Sequence, residues 1–374
     1  MSAELYQRRV RGALTALLTL ALGACACTGP ITQSNPARTV SPATTRVFSL
    51  LASNHLLVAD TTSGAVLAEL TLAAPPGPTS QMRALAISRQ AHMLYALVSD
   101  ATGRAKVTLV DTTTLQLTTS IDLGGDLEYR GLALGPRTGR LYLFANQHGD
   151  SLVRVIDPSG TPPSQTWPAR KSEGRTWYVY QGAVAPDESA LYLSYHGPDT
   201  TGIDRFEIKA TGLLPCTTTT RPDSGCFVTH GSFALTDTTL VASMAEAPLA
   251  ALDPLTGQRR DEYDLKLEGN HMAEFAIASG VGRIYAVGSC GYTGGLAKVD
   301  LATRQTEVLV APRSIGGVCG ERIVALDDGS LLVVAKTVKS VPDVVPGALV
   351  VLSADAKTLR AIPTSAEPMD LLLF

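Results

Sequence analysis

The chain has 374 residues, a formal net charge of −3, 45% hydrophobic and 17% charged residues. That is enough apolar material for a sizeable core and excludes a disordered chain. Arg8, Arg9 and Arg11 form the one basic tract, which is no cationic face for nucleic acid.

The N-terminus reads as an export signal. After the three arginines an apolar run extends from Gly12 to Ala24. Such a run rises about 20 Å as a helix, short of the roughly 30 Å of a hydrocarbon core, so it is a signal-peptide core rather than a membrane span. It ends Leu22-Gly23-Ala24-Cys25, which resembles the bacterial lipobox. The resemblance implies a lipoprotein signal peptide over residues 1–24, acylation of Cys25 and a lipid anchor in the bacterial cell envelope. Residues 25–45 are rich in Thr, Ser and Pro without periodicity and are expected to form a flexible tether.

From residue 46 onward Thr, Ser, Gly and small apolar residues dominate, and long helix-forming runs are missing. A short apolar strand ending in an acidic residue and a turn recurs. Its last residues are Asp60, Asp111, Asp157, Glu207, Asp253, Asp300 and a degenerate Ser353, spaced 46 to 53 residues apart. This period fits a four-stranded propeller blade. A carboxylate there can accept hydrogen bonds from the N–H groups of the following turn, so these residues are read as structural. A hydroxyl often follows three residues on, at Ser63, Thr114, Thr256 and Thr303.

Between these anchors lies a second repeated element, a small-residue strand, a turn and a second apolar strand. Arg130-Gly131-Leu132-Ala133-Leu134 leads through Pro136–Gly139 to Leu141-Tyr142-Leu143-Phe144, and Gly182-Ala183-Val184-Ala185 leads to Leu191-Tyr192-Leu193. Small residues suit the innermost strand, where blades crowd around the axis. Over residues 46–374 the pattern resembles the YVTN-type repeat propellers, although the tetrapeptide itself is absent. The resemblance implies a seven-bladed, all-β propeller with a non-catalytic binding or envelope role. It carries over no catalytic residue. Arg46–Leu51 reads as a second strand and Met369–Phe374 as a first strand, so both termini would complete the seventh blade and remove exposed edges.

In this fold the loops between second and third strands share one face, the top, with the interblade loops. Arg83, Arg130, Gln181, His230, Glu274, Arg322 and Asp370 enter the innermost strands there. They would ring the channel mouth as a mixed polar set, suited to an anionic or polar ligand or solvated as mutual ion pairs. His148, His196, His230 and His271 map to the same face. No paired-histidine or Cys/His metal spacing, no G-x-S-x-G elbow and no cofactor motif is present. The leading function is therefore binding of a protein, glycan or small anion, with the membrane engaged through the lipid. The rival is an envelope enzyme, a lactone or ester hydrolase or a dehydrogenase, with a channel-mouth metal held by Glu274 and Asp370, which the neighbouring arginines would oppose. Export permits disulfides. The expected pairs are Cys216–Cys226, which closes a short loop, and Cys290–Cys319 on adjacent blades, leaving Cys27 in the tether.

Overall fold

The computed structural model describes residues 45–73, 84–100, 102–158, 160, 164–171, 178–196, 201–215, 227–228, 233–235, 239–244, 247–256, 258–266, 272–278, 281–288, 295–310, 320–326, 328–335, 349–366 and 368–374. All six cysteines, Arg83, His230 and His271 lie outside the described residues, as do residues 1–44, over which the signal peptide and most of the tether are expected.

The described residues form seven antiparallel blades and no helix. Blade 1 runs from Ala84 to Gly124, blade 2 from Glu128 to Arg170 and blade 3 from Tyr178 to Pro215. Blade 4 runs from Phe233 to Tyr263, blade 5 from Met272 to Val310 and blade 6 from Gly320 to Ile362. Each has four strands in sequential order, and in blade 3 Phe227–Val228 adds a short pairing to the third strand. The seventh blade is built from both ends of the chain: Pro368–Leu373 is its innermost strand, followed by Arg46–Leu51, His55–Asp60 and Val66–Thr71. Val47 opposes Leu373 and Ser49 opposes Leu371, and Arg46 and Phe374 exchange backbone hydrogen bonds of 3.1 and 2.9 Å. The innermost strands touch in a closed cycle, blade 7 against blade 1 and onward to blade 6 against blade 7. This is the propeller the repeats predict.

The core is not one mass but seven layers. Every cluster of buried apolar side chains draws on two consecutive blades, and together the clusters complete the circuit. Second strands such as Leu141–Gln147 are therefore buried along nearly their whole length, since a blade lies on either side. Outermost strands such as Val66–Thr71 alternate toward solvent. The small residues of the innermost strands have a measurable reason. A Cβ on Gly182 of blade 3 would lie 2.2 Å from the Phe144 ring of blade 2. Any side chain there forces the two blades apart.

Four of the six acidic anchors do what their position suggests. Asp60 accepts from Ser63 N, Asp111 from Thr113 N and Thr114 N, Asp253 from Leu255 N and Thr256 N, and Asp300 from Ala302 N and Thr303 N, at 2.6 to 3.1 Å. In the turns after Asp60, Asp253 and Asp300 the anchor N–H closes on the carbonyl five residues on. The fifth residue of the turn is left-handed in three blades: Gly64 (φ 75°), Leu115 (φ 56°) and Arg304 (φ 59°). Ser353 is degenerate because its turn is one residue shorter. Its N–H closes on Lys357 O at 2.9 Å, and the left-handed residue is Ala356.

Candidate functional site

The five described ring residues named from the sequence occupy one end of the innermost strands. Arg130, Glu274, Arg322 and Asp370 are each the third residue of their strand, and Gln181 is the fourth. A register shift lies at or beside this position in blades 2, 3, 5, 6 and 7. Such bulges re-aim a side chain that regular pleating would bury or turn away.

Three of these side chains come together. Arg322 Nη1 donates to Glu274 Oε1 at 2.8 Å, and Arg322 Nε donates to Met369 O of the next blade at 3.4 Å. Asp370 follows Met369, and the attraction of Arg322 reaches its carboxylate as well. The site therefore sets one guanidinium between two carboxyl groups, contributed by blades 5, 6 and 7. Arg322 is 42% exposed and Glu274 18%. Glu274 Oε2 is buried without a well-formed hydrogen bond. Burial pushes the Glu274 carboxyl up to about 7, and the Asp370 charge adds to this, against the pull of Arg322 and of the Ile323 N–H. Burial also raises Asp370, opposed by Arg322 and by hydrogen bonds from Leu85 N at 2.7 Å and Leu371 N at 3.0 Å.

The other described ring positions, Gln181 and Arg130, hold blades together. The Gln181 amide donates to Phe233 O at 2.8 Å and accepts from Phe233 N at 3.2 Å, closing a two-point bridge to blade 4. Arg130 pairs with Glu128 and lies over the Tyr178 ring of blade 3, 5.5 Å from its centroid. Asp370 does both jobs, since Leu85 belongs to blade 1. His148 sits in a top turn at φ 52°, and His196 ends the second strand of blade 3. Among the described residues no group of three or more His, Cys, Asp or Glu side chains is placed to hold a metal ion.

Two further clusters at this end escaped the sequence reading. Arg170, which ends the outermost strand of blade 2, grips Asp204 of blade 3 through two hydrogen bonds, one of 2.9 Å. Its guanidinium lies 3.9 Å from the centre of the Tyr195 ring. His55 opens the third strand of blade 7, where Nδ1 meets Glu69 Oε1 at 2.9 Å, and Ser365 donates to the same oxygen. The topology that places His148 at the top also places His55 there, so that position was legible. The pairing needs the strand register, in which His55 opposes Thr71 and Glu69 lies diagonally across.

Compared by sequence, the chain matches no family model and no curated protein. Its structure is similar to many solved ones. A candidate 6-phosphogluconolactonase of Bacteroides uniformis superposes with a TM-score of 0.62 at 13% identity, covering 88% of this chain and 99% of that one. A second, of Bacteroides fragilis, gives 0.62 at 14% identity over 91% and 100%. The dihydro-heme d1 dehydrogenase NirN gives 0.56 at 16% identity over 89% and 66%. At such identities the likeness defines a class by fold alone, and that class is the seven-bladed β-propeller.

Proposed function

We propose that this chain is an exported, lipid-anchored envelope propeller that binds a small anionic ligand, or an anionic group of a protein or glycan, at the top of the ring. The observation behind this is the convergence of Glu274, Arg322 and Asp370 from three consecutive innermost strands, with the guanidinium partly exposed between carboxyls that burial keeps reluctant to ionise. As Glu274 takes up its proton, the site passes from net anionic to neutral, and an arginine is then available for carboxylate or phosphate recognition. The test is calorimetric titration with a panel of sugar phosphates and small carboxylates at pH 6 and pH 8. A ligand of this site binds more tightly at pH 6, and Arg322→Ala abolishes the binding. Ligand binding indifferent to Arg322→Ala would place the site elsewhere.

A second reading has one observation in its favour. A carboxyl poised near 7 beside a channel mouth can take and return a proton at neutral pH. An envelope hydrolase acting on lactones or esters would use Glu274 that way, and the lactonase-like neighbours share the scaffold. Lactone hydrolysis by the purified protein, lost in Glu274→Gln while ligand binding survives, would favour the enzyme.

The anchor is tested apart from the ligand. Mass spectrometry of the mature protein should find diacylglyceryl-modified Cys25 at its N-terminus, and Cys25→Ala should leave the membrane fraction. Non-reducing peptide mapping tests the Cys216–Cys226 and Cys290–Cys319 pairs.

A further inference from the structure

From the anchor turns at the bottom of the ring upward, the seam between blades 2 and 3 is apolar, filled by Tyr142, Phe144, Trp167, Val179 and Leu193. At its top it turns polar. Glu128, Asn146, Ser151 and Arg170 stand directly opposite one another across the four strands of blade 2. Opposed residues share a face of the sheet, so these four form one row. The row faces blade 3. Asn146 stands two residues beyond Phe144, whose ring meets Gly182 of that blade, and Arg170 reaches Asp204.

Both ends of the row are satisfied, since Glu128 pairs with Arg130 and Arg170 with Asp204. Asn146 between them is not. The residue is 6% exposed, and its amide nitrogen and oxygen are both closed off from solvent without a hydrogen-bond partner. An amide enclosed in this way costs stability that an apolar side chain of similar shape does not. Blade 3 shows what such a group can do. The Gln181 amide there donates to Phe233 O and accepts from Phe233 N, and so holds one backbone residue of blade 4 at two points. Asn146 carries the same donor and acceptor into its own seam, and among the described residues no backbone group takes them.

We infer that the top of this seam binds an extended peptide segment of a partner protein, one residue of which gives its backbone N–H and C=O to the Asn146 amide. An extended chain turns both groups of every second residue to the same side, which is the pair of contacts the amide lacks. The site lies on blades 2 and 3, apart from Glu274, Arg322 and Asp370 on blades 5 to 7. Charge does not select the partner, because Glu128 offsets Arg130 and Asp204 offsets Arg170. Main-chain hydrogen bonds supply the affinity instead. The two ends of the row differ as barriers to entry. Arg170 and Asp204 are largely buried and form a fixed wall. Glu128 is 58% exposed, and an ion pair so placed is worth little. The peptide therefore enters on the Glu128 side, from the mouth of the channel.

The test begins with a phage-displayed library of random heptapeptides, selected on the full chain and counter-selected on Asn146→Leu. A peptide that prefers the parent should emerge, its affinity for Asn146→Leu lower by about tenfold or more, as expected when two hydrogen bonds are lost. It is then titrated into the full chain carrying nitrogen-15 in its asparagines. The sequence holds Asn35, Asn54, Asn146 and Asn270 and no other asparagine, so the Asn146 side-chain signal can be assigned by its disappearance in Asn146→Leu. That signal should move on binding, and methylating one backbone nitrogen of the peptide should abolish both the shift and the binding. Without peptide, Asn146→Leu should raise the ratio of folded to unfolded protein by about tenfold, because it removes an enclosed, unpaired amide. No gain in that ratio would mean that the amide is already hydrogen-bonded in the free protein, and would overturn the inference. So would a library that yields no discriminating peptide, a discriminating peptide that leaves the Asn146 signal unmoved, or a signal moved by N-acetylglucosamine and by no peptide.

Discussion

Two sets of carboxylates in the propeller, those of the anchor turns and those at the mouth, are held in opposite ways. At the bottom, Asp111, Asp253 and Asp300 accept backbone N–H groups from their own turns, and this holds them below the usual carboxylate range, Asp253 at about 2. At the top, Glu274 and Asp370 lean on neighbouring blades, and burial pushes both upward, Glu274 to about 7. A bottom aspartate needs only a five- or six-residue turn to be satisfied. A top carboxyl needs three blades in register. The bottom set therefore stabilises each blade locally, while the top set is strained in proportion to how well the ring is assembled, which is the usual condition of a site available for binding or proton transfer.

If the top end depends on contacts between blades, its buried pairs should be the costliest to break. Arg170 and Asp204 are 16% and 11% exposed, and they join blade 2 to blade 3. Arg170→Ala leaves Asp204 enclosed without its cation and should cost about 3–5 kcal/mol in denaturant unfolding. Arg170→Met with Asp204→Leu should recover most of that loss, because the desolvation cost disappears with the charges. A single variant as stable as the parent would erase the contrast between the ends.

The contrast also has a pH signature, with opposite signs for Glu274 and Asp253. Glu274 is raised from 4.5 to about 7. Between those values the folded protein holds a proton that the unfolded chain has released, so stability falls as pH rises through the window and is level above it. Glu274→Gln should flatten that limb, a difference on the order of 2–3 kcal/mol between pH 5 and pH 8, lessened by solvent reaching Arg322. Asp253 is lowered from 3.8 to about 2, so its contribution is present above 3.8 and lost as pH falls toward about 2. Unfolding measured across this range should show both limbs, and Glu274→Gln should leave the acid limb in place.

At the bottom the expected effects are smaller. Asp253→Ala removes the acceptor for Leu255 N and Thr256 N and the partner of Arg260, and should cost about 1 kcal/mol. Because the loss is confined to one turn, ligand binding at the mouth should be unchanged. A bottom substitution that altered binding would show that the two ends are coupled through the blade.

How much of this could be read in advance follows the same division. The anchors, their turns and the closure of blade 7 by both termini were legible, because each rests on residues close in sequence or on a repeat. Arg130, Gln181, Glu274, Arg322 and Asp370 could be placed at the top by counting strands. That Glu274, Arg322 and Asp370 meet while Gln181 is taken up by Phe233 could not, because it depends on how adjacent inner strands are offset and where each bulges. The Arg170–Asp204 grip was invisible for a related reason. Its partners are 34 residues apart on different blades, and neither stands at a repeated position that marks it.

The sharpest small test lies at Ser353, where a repeat-minded reading would restore the missing aspartate. The structure argues against any gain. Asp60, Asp253 and Asp300 accept N–H groups inside a turn that closes five residues on, but the turn at Ser353 closes after four. Its hydroxyl accepts from Lys357 N at 3.1 Å and donates to the Asp355 carboxylate. Aspartate at this position could keep the first bond, but it would lose the donor and set two carboxylates side by side. The turn is solvent-exposed, so the repulsion is screened and the net effect of Ser353→Asp should lie within about 0.5 kcal/mol of zero, on the destabilising side. Raising the salt concentration should shrink it further. A gain of about 1 kcal/mol, the worth of an ordinary net hydrogen bond, would mean that the anchor acts independently of turn length, and the local account of the bottom end would then be wrong.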